Sequence, residues 1–436
     1  MVGNFSKKTV KDIELAGKVV LLRADYNVPV ENGVISDDYR ITQSVPTIDY
    51  ILGQKPKCLI IISHLGRPDG KVNQDYSLKP VASHLGRLLK QAVFFSQDCV
   101  GSQTKTAVSA LEPGSIMLLE NLRFHPDEEK NDPAFAKDLL ETTGAEVFVQ
   151  DGFGVVHRAH ASTDAITKLL PSVAGLLLEK EVTTINGVME DPARPLVAVI
   201  GGAKIADKIE ILNKFIDIAD CVAVGGAMSN NFLKVEKVPI GASLMDKDSL
   251  TAAAEVMAKA KAAERQRNFS FLLPVDAVVS TAVDGTKPTR AVDVSSHSLA
   301  DIQAYPKLPP APASQVSAKE KILDIGPISA AQIVGAVKLA QTVVWNGTLG
   351  VTETKGINGA AAPFSHATQM VVEAMISTTN RHKNKAFSLV GGGDTAAFVE
   401  EQGLITDFSF VSTGGGAGLE LMAGHKLPGV TALEDK

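Results

Sequence analysis

Acid, amide, imidazole and guanidinium side chains stand directly after short β-branched runs in the first part of the chain. RADYN offers Asp25 and Asn27, DDYRI adds Arg40, SHLGR brings His64 and Arg67, ENLRF brings Arg123, and HRAH brings His157, Arg158 and His160. A guanidinium is a planar fork for carboxylate or phosphate, so several converging on one spot describe a site for a small ligand with more than one negative charge. A lone arginine is more often a surface ion-pair residue, but Arg40, Arg67, Arg123 and Arg158 all lie at or near strand ends of one sheet. His157 and His160, three apart, could chelate a metal, yet no carboxylate or thiol accompanies them at ligand spacing. For these two, phosphate donor and core histidine both stay open.

The second part ends its apolar runs differently, in GGAK, GGAM, IGP, NGTLG, GGGDT and STGGGAG. Glycines at a strand-to-helix turn let successive N–H groups face one anion, and the helix N-terminus adds its positive end. A single GGG can equally mark a tight turn. None of these runs fits GxxxxGK[ST] or GxGxxG. In GGAKIADK, Lys204 and Lys208 are expected one turn apart on a helix starting at the glycines, where both could reach one phosphate or simply be solvated. Asp394 in GGGDT is the carboxylate best placed to help hold magnesium, or it caps a helix.

The elements that must position these residues follow from the same runs. VVLLR, CLIII, VFF, SIMLL and EVFVQ in the first part, and LVAVI, CVAV, FSFLL, KILDI, TVVW, FSLV and FSFV in the second, alternate with segments readable as helices. That is the pattern of parallel α/β sheets, whose ligands bind beyond the carboxyl ends of the strands. With 436 residues, two domains are expected. LLLEKEVTTINGVMEDPARP is expected as a linking helix followed by a turn that stops at Pro192 and Pro195, and PKLPPAPASQ, 306–315, as a solvated insertion. A net charge of −6 gives no reason to expect nucleic acid or a bilayer as partner. No apolar run approaches the roughly 18 residues of a spanning helix, the start lacks a signal-type apolar stretch, and a cytoplasmic protein is expected. Cys58, Cys99 and Cys221 are too scattered for a disulfide framework or a zinc site. Together these features describe an acid-binding site on one domain, a nucleotide-phosphate site on the other, and phosphoryl transfer between them.

RADYNVP, DYRI, SHLGRP, LLENLRFH, DGFGVVHRAH, GGAKIADKI, LPVD, DIGP, WNGTLGV, GGGDT and STGGGAG occur in the order and spacing of the phosphoglycerate kinases, and the chain resembles that family over essentially its whole length. The resemblance implies an α/β fold of two doubly wound parallel-sheet, Rossmann-like domains joined by a hinge helix. The acid-binding domain would span 1–178, the linker helix 179–194 and the nucleotide-binding domain 195–424, with a tail, 425–436, returning to the first domain. It further implies a monomeric hinge-bending glycolytic enzyme that moves a phosphoryl group reversibly between 1,3-bisphosphoglycerate and MgADP, giving 3-phosphoglycerate and MgATP. Asp25 and Asn27 resemble the residues holding the acid's hydroxyl and carboxyl end, and Arg40, His64, Arg67, Arg123 and Arg158 the basic patch. Lys208 is similar to the nucleotide-phosphate lysine, with Lys204 supporting it, and Glu353 to the ribose-binding acid. Gly392, Gly393, Asp394 and Thr395 resemble the phosphate and magnesium turn, with Asp394 toward the metal, and Gly202, Gly226 and Ile322 the lining of the nucleotide cleft.

For the transfer step the expected donors are Arg40, Lys204, Lys208, Gly393 and the amides of 414–416, Gly416 among them. The acceptor carboxylate is already ionised at neutral pH, so no general base is required. The chain departs from the family pattern at Gln150, at Thr348 and Thr352 in WNGTLGVTE, in GGAMSNNFL, and at Gly418. A catalytically silent homologue and a nicotinamide-dependent dehydrogenase are the competing readings. The presence of Arg40 and both lysines opposes the first, and the missing dinucleotide fingerprint opposes the second.

Overall fold

A computed structural model describes residues 5–295, 315–357, 361–380 and 386–436. Of the proline-rich insertion expected over 306–315, all but Gln315 lies outside the described residues. The chain forms two compact units, residues 1–190 with 413–436, and residues 191–412.

In the first unit the strand Val19–Arg23 is fully buried and sits inside a six-stranded sheet. Its neighbours are Cys58–Ile62 on one side and Val147–Gln150 on the other, both parallel to it. Ser115–Leu118 and Val93–Phe95 extend the first side and Ser172–Ala174 the second. A strand covered on both faces cannot alternate polar and apolar residues, which is why VVLLR and CLIII read as continuous apolar runs. Fully burying a side chain such as Leu21, Leu22 or Ile60 contributes about 1.5–3 kcal/mol each. The helix Tyr39–Gly53 turns Ile41, Ser44, Ile48 and Ile51 inward at helical spacing and thereby fixes Arg40 in its first turn. Pro133–Thr143 shows the local signals plainly: Asp132 accepts from the amide of Ala134 at 2.7 Å, proline opens the helix and Gly144 closes it. The helix ahead of Pro192 runs Leu176–Glu190.

The second unit is again built on a six-stranded parallel sheet, in a different strand order. Leu196–Ile200 lies between Cys221–Val224 and Thr342–Asn346, with Ser270–Leu272 beyond the one and Phe387–Gly391 then Phe410–Val411 beyond the other, all parallel. Two expectations are corrected here. Lys321–Ile325 does not join the parallel sheet: it pairs antiparallel with Asp276–Ser280, which pairs with Arg290–Asp293 in a separate three-stranded sheet. The FSFLLPVD run is not one strand either. It stops at Leu272, and the next strand starts at Asp276, beyond Pro274, which has no N–H for a ladder. Ser172–Ala174 was not foreseen, because SVA lacks the β-branched and aromatic enrichment that marks VFF.

Candidate active site

Asp25, Asn27, Arg40, His64, Arg67, Arg123 and Arg158 line a single cavity of about 310 Å³ in the first unit, together with Gly66, Gly154, Val155, His157 and Gly414–Gly416. The topology explains the convergence. The chain leaves Val19–Arg23, Cys58–Ile62, Ser115–Leu118 and Val147–Gln150 at the same, carboxyl, end of one parallel sheet, and the strand order reverses between Val19–Arg23 and Val147–Gln150. Arg40 donates through Nη1 to Asp25 Oδ2 at 3.0 Å and to the carbonyl of Asn27 at 3.2 Å. Asn27 accepts through Oδ1 from the amide of Gly66 at 2.9 Å, and Arg123 donates through Nη1 to the carbonyl of Gly66 at 2.8 Å. Four guanidinium groups thus face a cavity with one lining carboxylate, and Arg67 stands exposed there.

Beneath this layer lies a buried ionic network that sequence reasoning missed. Arg23 is 1% exposed, and donates through Nε to Ser162 Oγ at 2.8 Å and through Nη1 to the carbonyl of Ala24. The Ser162 amide and hydroxyl in turn donate to Glu128 at 3.0 and 2.5 Å. Burial brings the Arg23 pKa down to about 10, which leaves it charged at neutral pH. Its Nη2 lies 3.2 Å from His64 Nδ1. A guanidinium has no lone pair to offer, so Nδ1 accepts and Nε2 keeps the proton. Burial, then Arg23, Arg123, Arg40 and His160, hold the His64 pKa well below its ordinary value. His64 is therefore a neutral donor, and its 4.0 Å approach to Asp25 is not an ion pair. His160 is buried beside Glu128 with its pKa lowered to about 3, chiefly by burial, and it does not line the cavity. Of its two readings the core one holds. His157 does line the cavity, accepts at Nε2 from Arg158 Nε at 3.2 Å, and lies beside Gly416.

The STGGGAG run belongs to this cavity. Thr413 ends the approach by donating its amide and hydroxyl to buried Glu181 of the helix Leu176–Glu190, at 2.6 and 2.8 Å. Gly415 then turns the chain with φ 50° and ψ −115°, and a helix starts at Gly416. Ala417 N–H bonds back to Gly414, while the N–H groups of Gly415 and Gly416 have no acceptor among the described residues.

In the second unit Gly202, Gly226, Ile322, Glu353 and Asp394 line a cavity of about 410 Å³ with Ala242, Leu244, Val283, Asp324, Thr348 and others. Lys208, Gly392, Gly393 and Thr395 are not among the residues that line it. Lys208 is 9% exposed and donates to Asn346 Oδ1, and burial lowers its pKa to about 8 against the opposing pull of Asp207 and Asp394. Thr395 is buried and accepts from the amide of Gly347 at 2.7 Å. Gly392, at φ 93°, is the N-cap of the helix Gly393–Glu401. Asp394 is therefore in the first turn and not the cap. It is exposed and makes no hydrogen bond through its carboxylate among the described residues, as suits a ligand for a hydrated cation. Lys204 and Lys208 do not share a helix turn: a 3-10 turn, Ala206–Lys208, precedes the helix Ile209–Ile218, and Lys204 is exposed and lines neither cavity. Asn346, the partner of Lys208, was missed, although the N of WNG ends a strand at the informative edge.

Asp98, Cys99 and His125 bring three potential metal-ligand atoms within 4.8 Å of one another. The carboxylate already receives His125 Nε2 and the Cys99 amide, each at 2.7 Å, and the thiol is fully buried with its pKa raised well above the usual value. Hydrogen bonding accounts for this cluster.

A sequence model of the phosphoglycerate kinase family matches residues 10–425. The chain is 42% identical over 431 residues to the phosphoglycerate kinase of Pelotomaculum thermopropionicum, covering 99% of this chain and 100% of that protein. It is also 42% identical over 433 residues to that of Chloroflexus aurantiacus, covering 99% of each. Among solved structures it is similar to phosphoglycerate kinase from Coxiella burnetii, with TM-score 0.77 and 34% identity over 98% of both chains. For phosphoglycerate kinase from Pyrococcus horikoshii OT3 the TM-score is 0.78 at 27% identity, again over 98% of both. The chain belongs to the phosphoglycerate kinase family, and is a phosphotransferase using ATP and ADP as substrates.

Proposed function

We propose that the enzyme interconverts 1,3-bisphosphoglycerate and MgADP with 3-phosphoglycerate and MgATP, holding the acid in the cavity of the first unit and the nucleotide in that of the second. The observation that supports this most is the gathering of four arginines, a neutral histidine donor and the free amides of Gly415 and Gly416 around one small cavity. Arg67, Arg123 and Arg158 meet the phosphate of the acid, while Asp25 and Asn27 fix its hydroxyl and carboxyl end. His64 donates through Nε2. Arg40 has one nitrogen committed to Asp25 and Asn27, and its Nη2 faces Gly415. Arg40 and the glycine amides are therefore the donors set in advance for the equatorial oxygens of the moving phosphoryl group.

On the nucleotide side Lys208 neutralises the phosphates, Gly392, Gly393 and Thr395 shape the turn that receives them, and Glu353 binds the ribose. Asp394 would hold magnesium, which when bound spreads the charge of the β- and γ-phosphates. Bending about the helix Leu176–Glu190 brings the two ligands together and excludes water from the acyl phosphate. We assign the activity to a cytoplasmic monomer. Among the described residues no helix is long and apolar enough to cross a membrane.

The test is chemical. Purified protein with 3-phosphoglycerate, MgATP and hydroxylamine should give a hydroxamate from the trapped acyl phosphate, dependent on both substrates. A folded sample that yields none refutes the reading.

A further inference from the structure

The second cavity carries a device that neither the reaction nor its donors explain. Leu244 and Val283 both line it, yet they are 62% and 44% exposed, an uneconomical place for large apolar side chains in a folded unit. The backbone that carries Leu244 is held from two sides. On the sheet side Ala242 N–H donates to the carbonyl of Glu320 at 2.7 Å, and Ile322 N–H donates to Ser243 Oγ at 2.8 Å. On the other side the helix Ser229–Val235 presents two consecutive asparagines, 0% and 1% exposed. Asn230 Nδ2 donates to the carbonyl of Leu244 at 2.9 Å, while Asn231 donates to the carbonyl of Asp246 at 2.5 Å and accepts from its amide at 3.2 Å. Asp246 in turn takes the Ser249 hydroxyl at 2.6 Å.

Asn230 keeps this bond at a cost. Its Oδ1 is buried without a partner, a penalty that an apolar residue of the same size would not carry. The amide group is thus explained by what its N–H₂ holds, and it holds the residue that forms one wall of the cavity.

We propose that Asn230, supported by Asn231, is a positioning residue for nucleotide binding: it fixes Leu244 as an apolar wall against the flat face of the nucleotide base. The proposal rests on the assignment of this cavity to ADP and ATP. Asn230 touches no ligand itself and acts through the Leu244 carbonyl, so its loss should weaken nucleotide binding and leave the acid site of the first unit unaffected.

The experiment compares Asn230→Leu, Leu244→Ala and the double variant with the parent enzyme, by steady-state kinetics in each substrate and by calorimetric titration with MgADP. Loss of one tether of this kind is expected to raise KM and Kd for the nucleotide about 3- to 10-fold. KM for 3-phosphoglycerate should stay within about twofold, a split that general destabilisation would not give. The double variant should bind MgADP no more weakly than Leu244→Ala alone, since both changes act on one contact. Unchanged nucleotide affinity in Asn230→Leu, additive losses in the double variant, or equal shifts in both KM values would overturn the proposal. If Asn230→Leu does not fold, the surface change Leu244→Ala decides, and an unchanged Kd for MgADP sinks it. Calorimetry separates the two levels of inference. A parent protein that binds MgADP but forms no acyl phosphate defeats the kinase assignment while the Kd values still judge the tether, and one that binds no MgADP defeats both.

Discussion

Replacing Gly415 by alanine should lower either the activity or the stability of the enzyme, whereas the same change at Gly416 should lower neither. At Gly415 the backbone has φ 50° and ψ −115°, outside the left-handed helical well that an L-residue can reach at positive φ. Crowding is not the obstacle, since the nearest atom to an added Cβ is Arg40 Nη2 at 3.8 Å. The cost is conformational, about 1–3 kcal/mol. The chain can hold the strained angle, and then the first unit loses about 2–4 °C of Tm for each kcal/mol. It can instead relax by rotating the peptide between 415 and 416, which turns an amide away from the cavity, and one lost donor lowers kcat by about 10² to 10³.

Gly416 has no left-handed φ, and its Cβ would meet His157 Nε2 at 3.5 Å, an ordinary contact. Alanine there keeps the amide and opens the helix Gly416–Ala423 with a better helix former, worth about 0.4–1 kcal/mol. Initial rates at saturating substrates, with thermal unfolding of the same samples, decide the matter. A Gly415→Ala enzyme within threefold of the parent in kcat and unchanged in Tm, or a Gly416→Ala enzyme equally damaged, refutes the role given to these amides.

Arg40→Ala should lower kcat by about 10² to 10³ while the Kd for 3-phosphoglycerate moves far less, because Arg40 is assigned to the transferring group; an unchanged kcat removes Arg40 from that role. For Lys208 the folded pKa, about 8, lies below the ordinary lysine value, so the folded state sheds its proton first and stability rises with pH from about 8 to 10.5. Lys208→Met should accordingly raise Tm at pH 7, with the gain fading through that window, and a Tm gain that does not fade would contradict the burial argument. Asp151 has the opposite linkage: burial, with Glu181 adding to it, raises its pKa to about 7, so stability falls as pH climbs from about 4 to 7. Asp151→Asn should flatten that slope in urea unfolding at pH 5 and pH 8, and an unaltered slope would place the titrating group elsewhere.

Much of the acid site was legible because a buried parallel strand fixes where its next residue goes. Once VVLLR and CLIII were read as such strands, Asp25 and His64 had to emerge at the same edge. Arg40 was picked out by its type and its place in DDYRI, and only the structure shows that the first turn of the helix Tyr39–Gly53 carries it. The layer below could not be read, since Arg23, Ser162 and Glu128 meet only when residues far apart in sequence are packed together. Lys204 shows the converse. Its spacing from Lys208 suggested one helical face, but Gly202 donates its amide to Thr348 and accepts from Met228, contacts that keep the chain irregular until Ala206. Lys321–Ile325 was apolar enough to be recognised as a strand, but an apolar run does not state which sheet it will join.

The first unit is made of two separate lengths of chain, and this orders its assembly in time. Ser172 accepts from the amide of Glu434, Glu434 accepts from Lys8, Lys436 reaches Ser6, and Thr413 reaches Glu181. On a ribosome the residues that carry the arginines emerge first, yet their unit still lacks residues 413–436. Residues 191–412, the second unit, are one contiguous length of chain. The cavity around Arg40 therefore gains its glycine wall only when residues 414–416 follow. A nascent chain is thus unable to complete the acid cavity before the second unit has been synthesised.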